Sequence, residues 1–290
     1  MSGAATTAGS ELPRSAEPHR GLPPSAGAGI AGLSILRAEW TKLRTTGGTG
    51  WLLAATTALT IVISAATVAA THCPAGASCS VDTTRLSLTG IEAAQALVAV
   101  LAVLTVCTEY STGMIRTTFT AMPRRLGVLA GKAGVLTGLV LAAAVVAVAG
   151  CLLAGRLILP ADGLTAARGF PLVSLAHGPT VRAAIGAVLY LALIGLLSLG
   201  VATILRDSAV AIGAVLGLLY IVPIIAAVVG NPVWQRRLER YGPTNAGLAI
   251  EDTTGLRHLP IGPWAGLGVL AAWTAAALLI GGLLLRLRDA

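Results

Sequence analysis

The chain has 290 residues, of which 55% are hydrophobic and only 11% are charged. Soluble domains carry about 25% charged residues, so these charges are too few to cover a water-soluble surface. The composition therefore predicts an all-α integral membrane protein with little mass outside the bilayer. The net charge of +8 does not indicate nucleic-acid binding, because the basic residues stand at the ends of apolar segments instead of forming one patch.

Residues 1–29 are rich in Gly, Pro, Ser, Ala and Thr and show no apolar periodicity. This composition predicts a disordered N-terminal tail. The tail lacks the basic stretch followed at once by an apolar core that marks a signal peptide. We expect one transmembrane domain over residues 30–290.

Residues 30–46 have the pattern of an amphipathic helix lying in the membrane interface. Its apolar face is formed by Leu33, Leu36, Trp40 and Leu43. Another face is lined by Arg37, Thr41 and Arg44, with Lys42 close by. Gly47, Gly48 and Gly50 are expected to break this helix before the first span. The alternative is that the segment simply extends that span.

Apolar runs long enough to cross a bilayer follow along the rest of the chain. A span needs roughly 20 apolar residues. Six are predicted: Trp51–Thr71, Leu88–Thr108, Val135–Leu157, Ala183–Leu205, Ser208–Val229 and Trp264–Leu285. Because only Arg206 and Asp207 separate the fourth and fifth spans, these two should form a tight helical hairpin. The Lys and Arg residues near the span ends, most clearly around the first three spans, favour cytoplasmic N- and C-termini.

Three smaller features call for interpretation. Cys73 and Cys79 flank a short loop; they either form a disulfide bond or remain two free thiols, and both alternatives are open. Cys107 and Cys151 are predicted to be packing residues. The segment 230–263 holds either short helices that dip toward the membrane or an ordinary solvated loop. Small-residue steps that indicate close helix packing occur at Gly134 and Gly138, Gly213 and Gly217, and Gly262 and Gly266.

The sequence carries little chemistry of its own. No predicted span has an ionisable residue near its middle, and no Ser-His or paired-carboxylate arrangement stands at membrane depth. Gly131-Lys132 is not a nucleotide-binding P-loop, because Gly127 is at the wrong spacing and Ala133 stands where Ser or Thr would bind Mg²⁺. The chain is therefore expected to be no enzyme.

A polar, basic segment over residues 109–125 separates the second and third predicted spans. Ile115, Phe119 and Met122 recur at steps of four and three, so they share one face of a short helix. Ser111 or Thr112 can cap its start, and Pro123 followed by two arginines ends it. Such a helix can dock into a groove of a cytoplasmic partner. The alternative is a surface loop whose arginines bind phospholipid headgroups.

Two motifs together resemble the permease subunits of ABC-2 type ABC transporters from high-GC Gram-positive bacteria. The first is Glu109-Tyr110-Ser111-Thr112-Gly113-Met114-Ile115-Arg116-Thr117-Thr118, followed by Pro123-Arg124-Arg125. The second is Glu39-Trp40-Thr41-Lys42-Leu43-Arg44 before the first span. The resemblance covers roughly residues 33–290, and the N-terminal tail is not part of it.

The resemblance implies a non-catalytic permease in the bacterial plasma membrane, which exports a hydrophobic or amphipathic compound. A second copy or a paralogous permease, and a separate ABC ATPase subunit that holds ATP and Mg²⁺, are the implied partners; the chain itself binds no cofactor. The implied coupling helix includes Glu109, Thr112, Ile115, Arg116, Phe119, Met122, Arg124 and Arg125. The implied interfacial helix includes Leu33, Leu36, Arg37, Glu39, Trp40, Lys42, Leu43 and Arg44. An ion-coupled secondary carrier and a non-transporting membrane anchor or signalling protein are the alternatives.

Overall fold

In a computed structural model, the described residues are 47–73, 81–111, 125–161, 164–165, 170 and 173–288. They form helices, and no strand occurs among these residues. The α-helices are α1 (Gly47–Ala69), α2 (Thr83–Ser87), α3 (Gly90–Ser111), α4 (Arg125–Ile158), α5 (Gly178–Leu205), α6 (Ser208–Leu216), α7 (Val222–Val228), α8 (Pro232–Tyr241), α9 (Pro243–Leu248) and α10 (Pro263–Arg288). A π-helical turn, Gly217–Ile221, joins α6 to α7, and 3₁₀ turns occupy Ala249–Glu251 and Leu256–His258.

Six helical stretches are long and apolar enough to cross a membrane, which confirms the predicted all-α, six-span architecture. They are Gly50–Ala69, Gly90–Thr108, Leu126–Ile158, Gly178–Leu205, Ser208–Val228 and Pro263–Leu287. The fifth span is thus α6, the π turn and α7 together. Residues 1–46, which contain the predicted tail and interfacial helix, lie outside the described residues, and both remain predictions.

Gly47, Gly48 and Gly50 lie in the first turn of α1, and the predicted break between the helix over residues 30–46 and the first span stays a prediction, because that segment lies outside the described residues. One predicted boundary was wrong. The third span begins well before Val135, so Lys132, expected in the flank, lies within α4 and is only 8% exposed. Its Nζ donates to the Thr105 carbonyl oxygen at 3.4 Å. A hydropathy plot places the start of this span too late, because it counts the lysine as polar. In the fold the lysine buries its aliphatic stem while its ammonium reaches a polar partner.

The fourth span, α5, lies at the centre of the bundle. It packs against α3, α4, α6 and α10. The fully buried side chains of Tyr190, Ile194 and Leu197 come from this helix. In the first and fifth spans only 22% of the residues of the most apolar stretch are buried, against 61% in α3 and α5. These two helices therefore lie at the periphery of the bundle, with most of their side chains exposed on its surface.

The connection between the fourth and fifth spans confirms the predicted tight hairpin. Arg206 ends α5 in the left-handed conformation with φ 60°. Asp207 caps α6, its Oδ1 accepting a hydrogen bond from the Val210 N–H at 2.8 Å. The membrane side on which this connection lies is called the hairpin end below.

At the opposite membrane side, residues 229–262 form a helical cap, and we call this side the cap end. The segment is therefore not an ordinary solvated loop. α9 and the turn Ala249–Glu251 pack between α5 and α10, and Ala246 and Ile250 are fully buried. This packing requires small residues on the spans, since a Cβ at Gly186 would overlap the Ile250 side chain.

Candidate functional site

The predicted coupling segment leaves the bundle at the hairpin end. Glu109 lies in the last turn of α3, and Arg125 is the first residue of α4. The Arg206 guanidinium lies over the Tyr110 ring, 5.4 Å from its centroid, which ties the end of α3 to the hairpin connection. The other predicted coupling residues lie outside the described residues: Thr112, Ile115, Arg116, Phe119, Met122 and Arg124. The docking role of these residues stays a prediction.

A second polar site, which the sequence interpretation did not identify, lies at the cap end. Asp82 stands between the first span and α3, and its carboxylate accepts hydrogen bonds from two threonines in the second half of the cap. The Thr253 N–H and hydroxyl donate to it, both at 2.6 Å. The Thr254 N–H and hydroxyl donate at 2.9 and 3.2 Å. The same carboxylate accepts from the Arg85 N–H at 3.1 Å and so caps α2.

An ion pair adds a second connection. Arg85 Nη1 lies 2.5 Å from Asp252 Oδ1. Arg182, in the first turn of α5, donates to the Asp252 carbonyl oxygen. Three parts of the chain therefore meet here: the segment before α3, the start of α5 and the part of the cap around Asp252. We call Asp82, Arg85, Arg182, Asp252 and Thr253 the cap cluster.

The pKa values of the two aspartates in the cap cluster are shifted in opposite directions. Burial raises the pKa of Asp82, but hydrogen bonds from Thr253, Arg85 and Thr254 outweigh it, so the pKa lies below the ordinary 3.8. Burial also raises the pKa of Asp252, and here the opposing Arg85 guanidinium does not fully compensate, so the pKa stays above the ordinary value. Asp82 is thus the better stabilised anion of the cluster.

Glu251, next to the cap cluster, is a deeply buried carboxyl. It is 3% exposed, and its Oε1 is buried without a hydrogen-bond partner. Burial raises the pKa of Glu251 well above its usual value, and the nearby Glu92 carboxylate raises it further. A buried carboxyl of this kind is a candidate proton-binding group.

A cavity of about 620 Å³ opens beside Glu92, between α3, the fifth span and the cap. Its walls combine apolar side chains with ionisable ones. The Tyr220 hydroxyl donates to the Glu92 carbonyl oxygen at 2.6 Å, and the Thr244 hydroxyl donates to the Leu219 carbonyl oxygen at 3.0 Å. Gln95, fully buried in α3, accepts a hydrogen bond from the Tyr190 hydroxyl. Polar groups therefore fix the wall at membrane depth.

The cysteines divide into two classes. Cys107 and Cys151 are buried free thiols, as expected of packing residues. Cys73 takes part in a disulfide bond, and Cys79, its predicted partner, lies outside the described residues. Within the described ranges, no group of three or more His, Cys, Asp or Glu residues could hold a metal ion.

We expect Asp82→Asn to lower the thermal stability of the purified protein at neutral pH, by the equivalent of about 1–3 kcal/mol. Asparagine keeps the cap of α2 but accepts fewer hydrogen bonds from Thr253 and Thr254. Because the folded pKa is depressed, this stabilisation exists above the ordinary Asp pKa and is lost as pH falls through the lower folded value. The matched control is Asp207→Asn, which keeps a single cap bond. Equal unfolding temperatures for the two variants would contradict this role of Asp82.

We expect Glu251→Gln to raise the unfolding temperature at neutral pH and to reduce its pH dependence. A carboxyl whose folded pKa is raised stabilises the fold at low pH, and this contribution is lost as pH rises from the ordinary value of 4.5 toward the folded pKa. The measurement is thermal unfolding in detergent between about pH 5 and about pH 8. A difference between variant and wild type that stays constant over this range would show that Glu251 is not the titrating group.

A scan against models of known protein families finds no match to the sequence, and a search of curated proteins finds none either. The function must therefore be argued from the membrane architecture and from the two polar ends of the bundle.

Proposed function

We propose that this chain is the transmembrane permease subunit of an ATP-driven ABC transporter that exports a hydrophobic or amphipathic compound. The observation that carries the proposal is the place of the basic segment 109–125. It connects α3 to α4 at the hairpin end, and its sequence offers the apolar stripe of Ile115, Phe119 and Met122 to a partner. A surface helix of this kind suits docking of a soluble ATPase.

The distribution of ionisable residues in the described spans agrees with an energy source outside the chain. They lie within about two turns of a helix end: Glu92, Glu109, Lys132, Arg156, Arg182 and Arg286. The middle of each described span carries no Asp, Glu, Lys, Arg or His. We propose that ATP and Mg²⁺ bind to a separate ATPase subunit, and that a second permease copy or a paralogue completes the transporter. The proposal places the hairpin end and both termini on the cytoplasmic side of a bacterial plasma membrane.

One observation favours a second candidate, an ion-coupled secondary carrier. Glu251 is a buried carboxyl without a partner for Oε1, and such groups bind the coupling proton in many carriers. Glu251 lies in the cap rather than inside a span. Proton coupling would therefore require movements of the cap that expose Glu251 first to one side of the membrane and then to the other. We rank this candidate second for that reason.

Affinity purification of the tagged protein from its native membrane in mild detergent, followed by mass spectrometry, tests the proposal. A P-loop ATPase recovered in near-stoichiometric amount is the expected result. A homo-oligomer without any ATPase, recovered again after cross-linking in the membrane, would contradict the proposal and favour the carrier or anchor.

A further inference from the structure

The cavity at the cap end has the size and lining of a small-molecule site. Ligand sites in proteins occupy about 300–1,000 Å³ and combine apolar walls with few polar groups, and this cavity measures about 620 Å³. It lies where α3, the fifth span and the cap meet, with Arg85 of α2 at its edge. A movement of the cap would therefore change the shape of the site.

The charges around the cavity do not cancel. Three carboxylates line it, from Glu92, Glu239 and Asp252, and Arg85 is the lining cation. Arg85 already pairs with Asp252. Within the part of the chain that the structure describes, Glu92 and Glu239 form no ion pair. The Gln235 amide donates to Glu239 Oε1 at 3.1 Å and holds this carboxylate at the wall. Two negative charges are thus left over.

A fourth carboxyl, that of Glu251, lies behind the wall. Glu251 is only 3% exposed, and its Oε1 has no hydrogen-bond partner. It interacts electrostatically with Glu92. Burial and the Glu92 carboxylate both raise the pKa of Glu251 and so favour its neutral form, which shows that the negative potential of Glu92 reaches behind the wall. A positive charge near Glu92 would offset this potential, and a negative ligand would add to it. The electrostatics of the site therefore select a cation.

The remaining lining selects the body of that cation. Pro223, Leu248 and Leu259 contribute apolar surface, and Tyr220 adds an aromatic ring whose hydroxyl donates to the Glu92 carbonyl oxygen. Apolar and aromatic walls of this kind bind hydrocarbon or aryl groups, and an aromatic face also attracts cations. A small hydrated metal ion would gain nothing from them.

We propose that this cavity binds an amphipathic organic cation, with the positive charge near Glu92 and Glu239 and the apolar body against the wall of Leu248 and Tyr220. The evidence for binding is the set of residues that line the cavity and their charges. That the bound cation is transported cargo rests on the proposed function.

Matched lipophilic ions of the same shape provide the test. The full-length protein is reconstituted in nanodiscs of zwitterionic phosphatidylcholine, and equilibrium binding of tetraphenylphosphonium and of tetraphenylborate is measured against empty nanodiscs. We expect saturable binding of the cation to the wild-type protein and no saturable binding of the anion. The double variant Glu92→Gln/Glu239→Gln should bind the cation at least about tenfold more weakly, a change of about 1.4 kcal/mol.

Asp207→Asn is the matched control, because it removes one negative charge at the hairpin end and keeps the cap of α6; its cation binding should equal that of the wild type. If the double variant does not fold, Glu239→Gln alone is the test, since Glu239 lies on the partly exposed α8. Saturable binding of tetraphenylborate, unchanged cation binding in the glutamine variants, or no saturable cation binding would each overturn the proposal. Because this assay contains no ATPase, it and the affinity purification can fail independently.

Discussion

Gly266→Ala is expected to detach the cap from the last span and to lower the yield and thermal stability of the purified protein severely. A Cβ at Gly266 would overlap the carbonyl oxygen of Ala246 in α9. This obstacle is backbone and cannot rotate away, so α9 or α10 must shift. Forcing an extra carbon into a packed core costs about 1–3 kcal/mol and occasionally more. The measurements are the monodisperse fraction and the unfolding temperature in one detergent.

Gly268→Ala is the matched control for this prediction, because it lies on the same helix and its Cβ would meet nothing within 4 Å. Alanine is favoured over glycine in a helix by about 0.5–1 kcal/mol, so this variant should be as stable as the wild type or slightly more so. Equal stability of the two variants would show that the close contact between α9 and α10 is not a requirement of the fold.

Phe119→Asp is expected to abolish most of the ATPase recovery in affinity purification while leaving the spans folded. The substitution places a charge in the middle of the apolar stripe of Ile115, Phe119 and Met122, and desolvating an unpaired carboxylate in an interface is strongly unfavourable. We expect a loss of at least about tenfold in recovered ATPase, which corresponds to about 1.4 kcal/mol.

Thr117→Asp provides the comparison, since a residue two positions away lies on roughly the opposite face of a helix. It adds the same charge and should retain the ATPase. Normal recovery with Phe119→Asp, or equal loss with both variants, would count against docking through the apolar stripe. Wild-type unfolding temperatures are required of both variants before the result is interpreted.

The spans could be predicted from the sequence because each is a long apolar run whose backbone must form its own hydrogen bonds in lipid. The hairpin could be predicted because two polar residues between two spans leave room for nothing else. The ends of the helices were predicted less accurately. The third span, for example, was predicted to begin after Lys132, because hydropathy does not report whether a lysine has a polar partner within the bundle. Segment 109–125 remains a sequence-based prediction, since residues 112–124 lie outside the described ones.

The cap cluster and the cavity could not be predicted from local pattern. The hydrogen bonds between Asp82 and Thr253 join residues 171 positions apart, and neither neighbourhood has a recognisable motif. The small-residue steps show the same limit. Gly266 touches a neighbouring backbone, whereas a Cβ at Gly138, Gly213 or Gly262 would meet nothing within 4 Å. Spacing identifies a helix face, and only the assembled bundle shows what that face contacts.

We propose that ATP bound by a partner changes the conformation of this chain, and thiol labelling at the cap end is the most direct test. Gln235 lines the cavity, and the free thiols of Cys107 and Cys151 are buried, so a Gln235→Cys variant provides a reactive probe. Open fragments of the native membrane, which hold no ion gradient, are labelled with a maleimide with and without Mg²⁺, ATP and vanadate.

We expect trapping with ATP and vanadate to change the labelling rate of Gln235→Cys at least about threefold, because closure of the ATPase would shift the population of cap conformations. The same change should be absent in the Phe119→Asp background. A labelling rate that does not respond to ATP and vanadate, in membranes where the chain is folded and the probe reacts, would contradict the claim that this protein is driven by an ATPase.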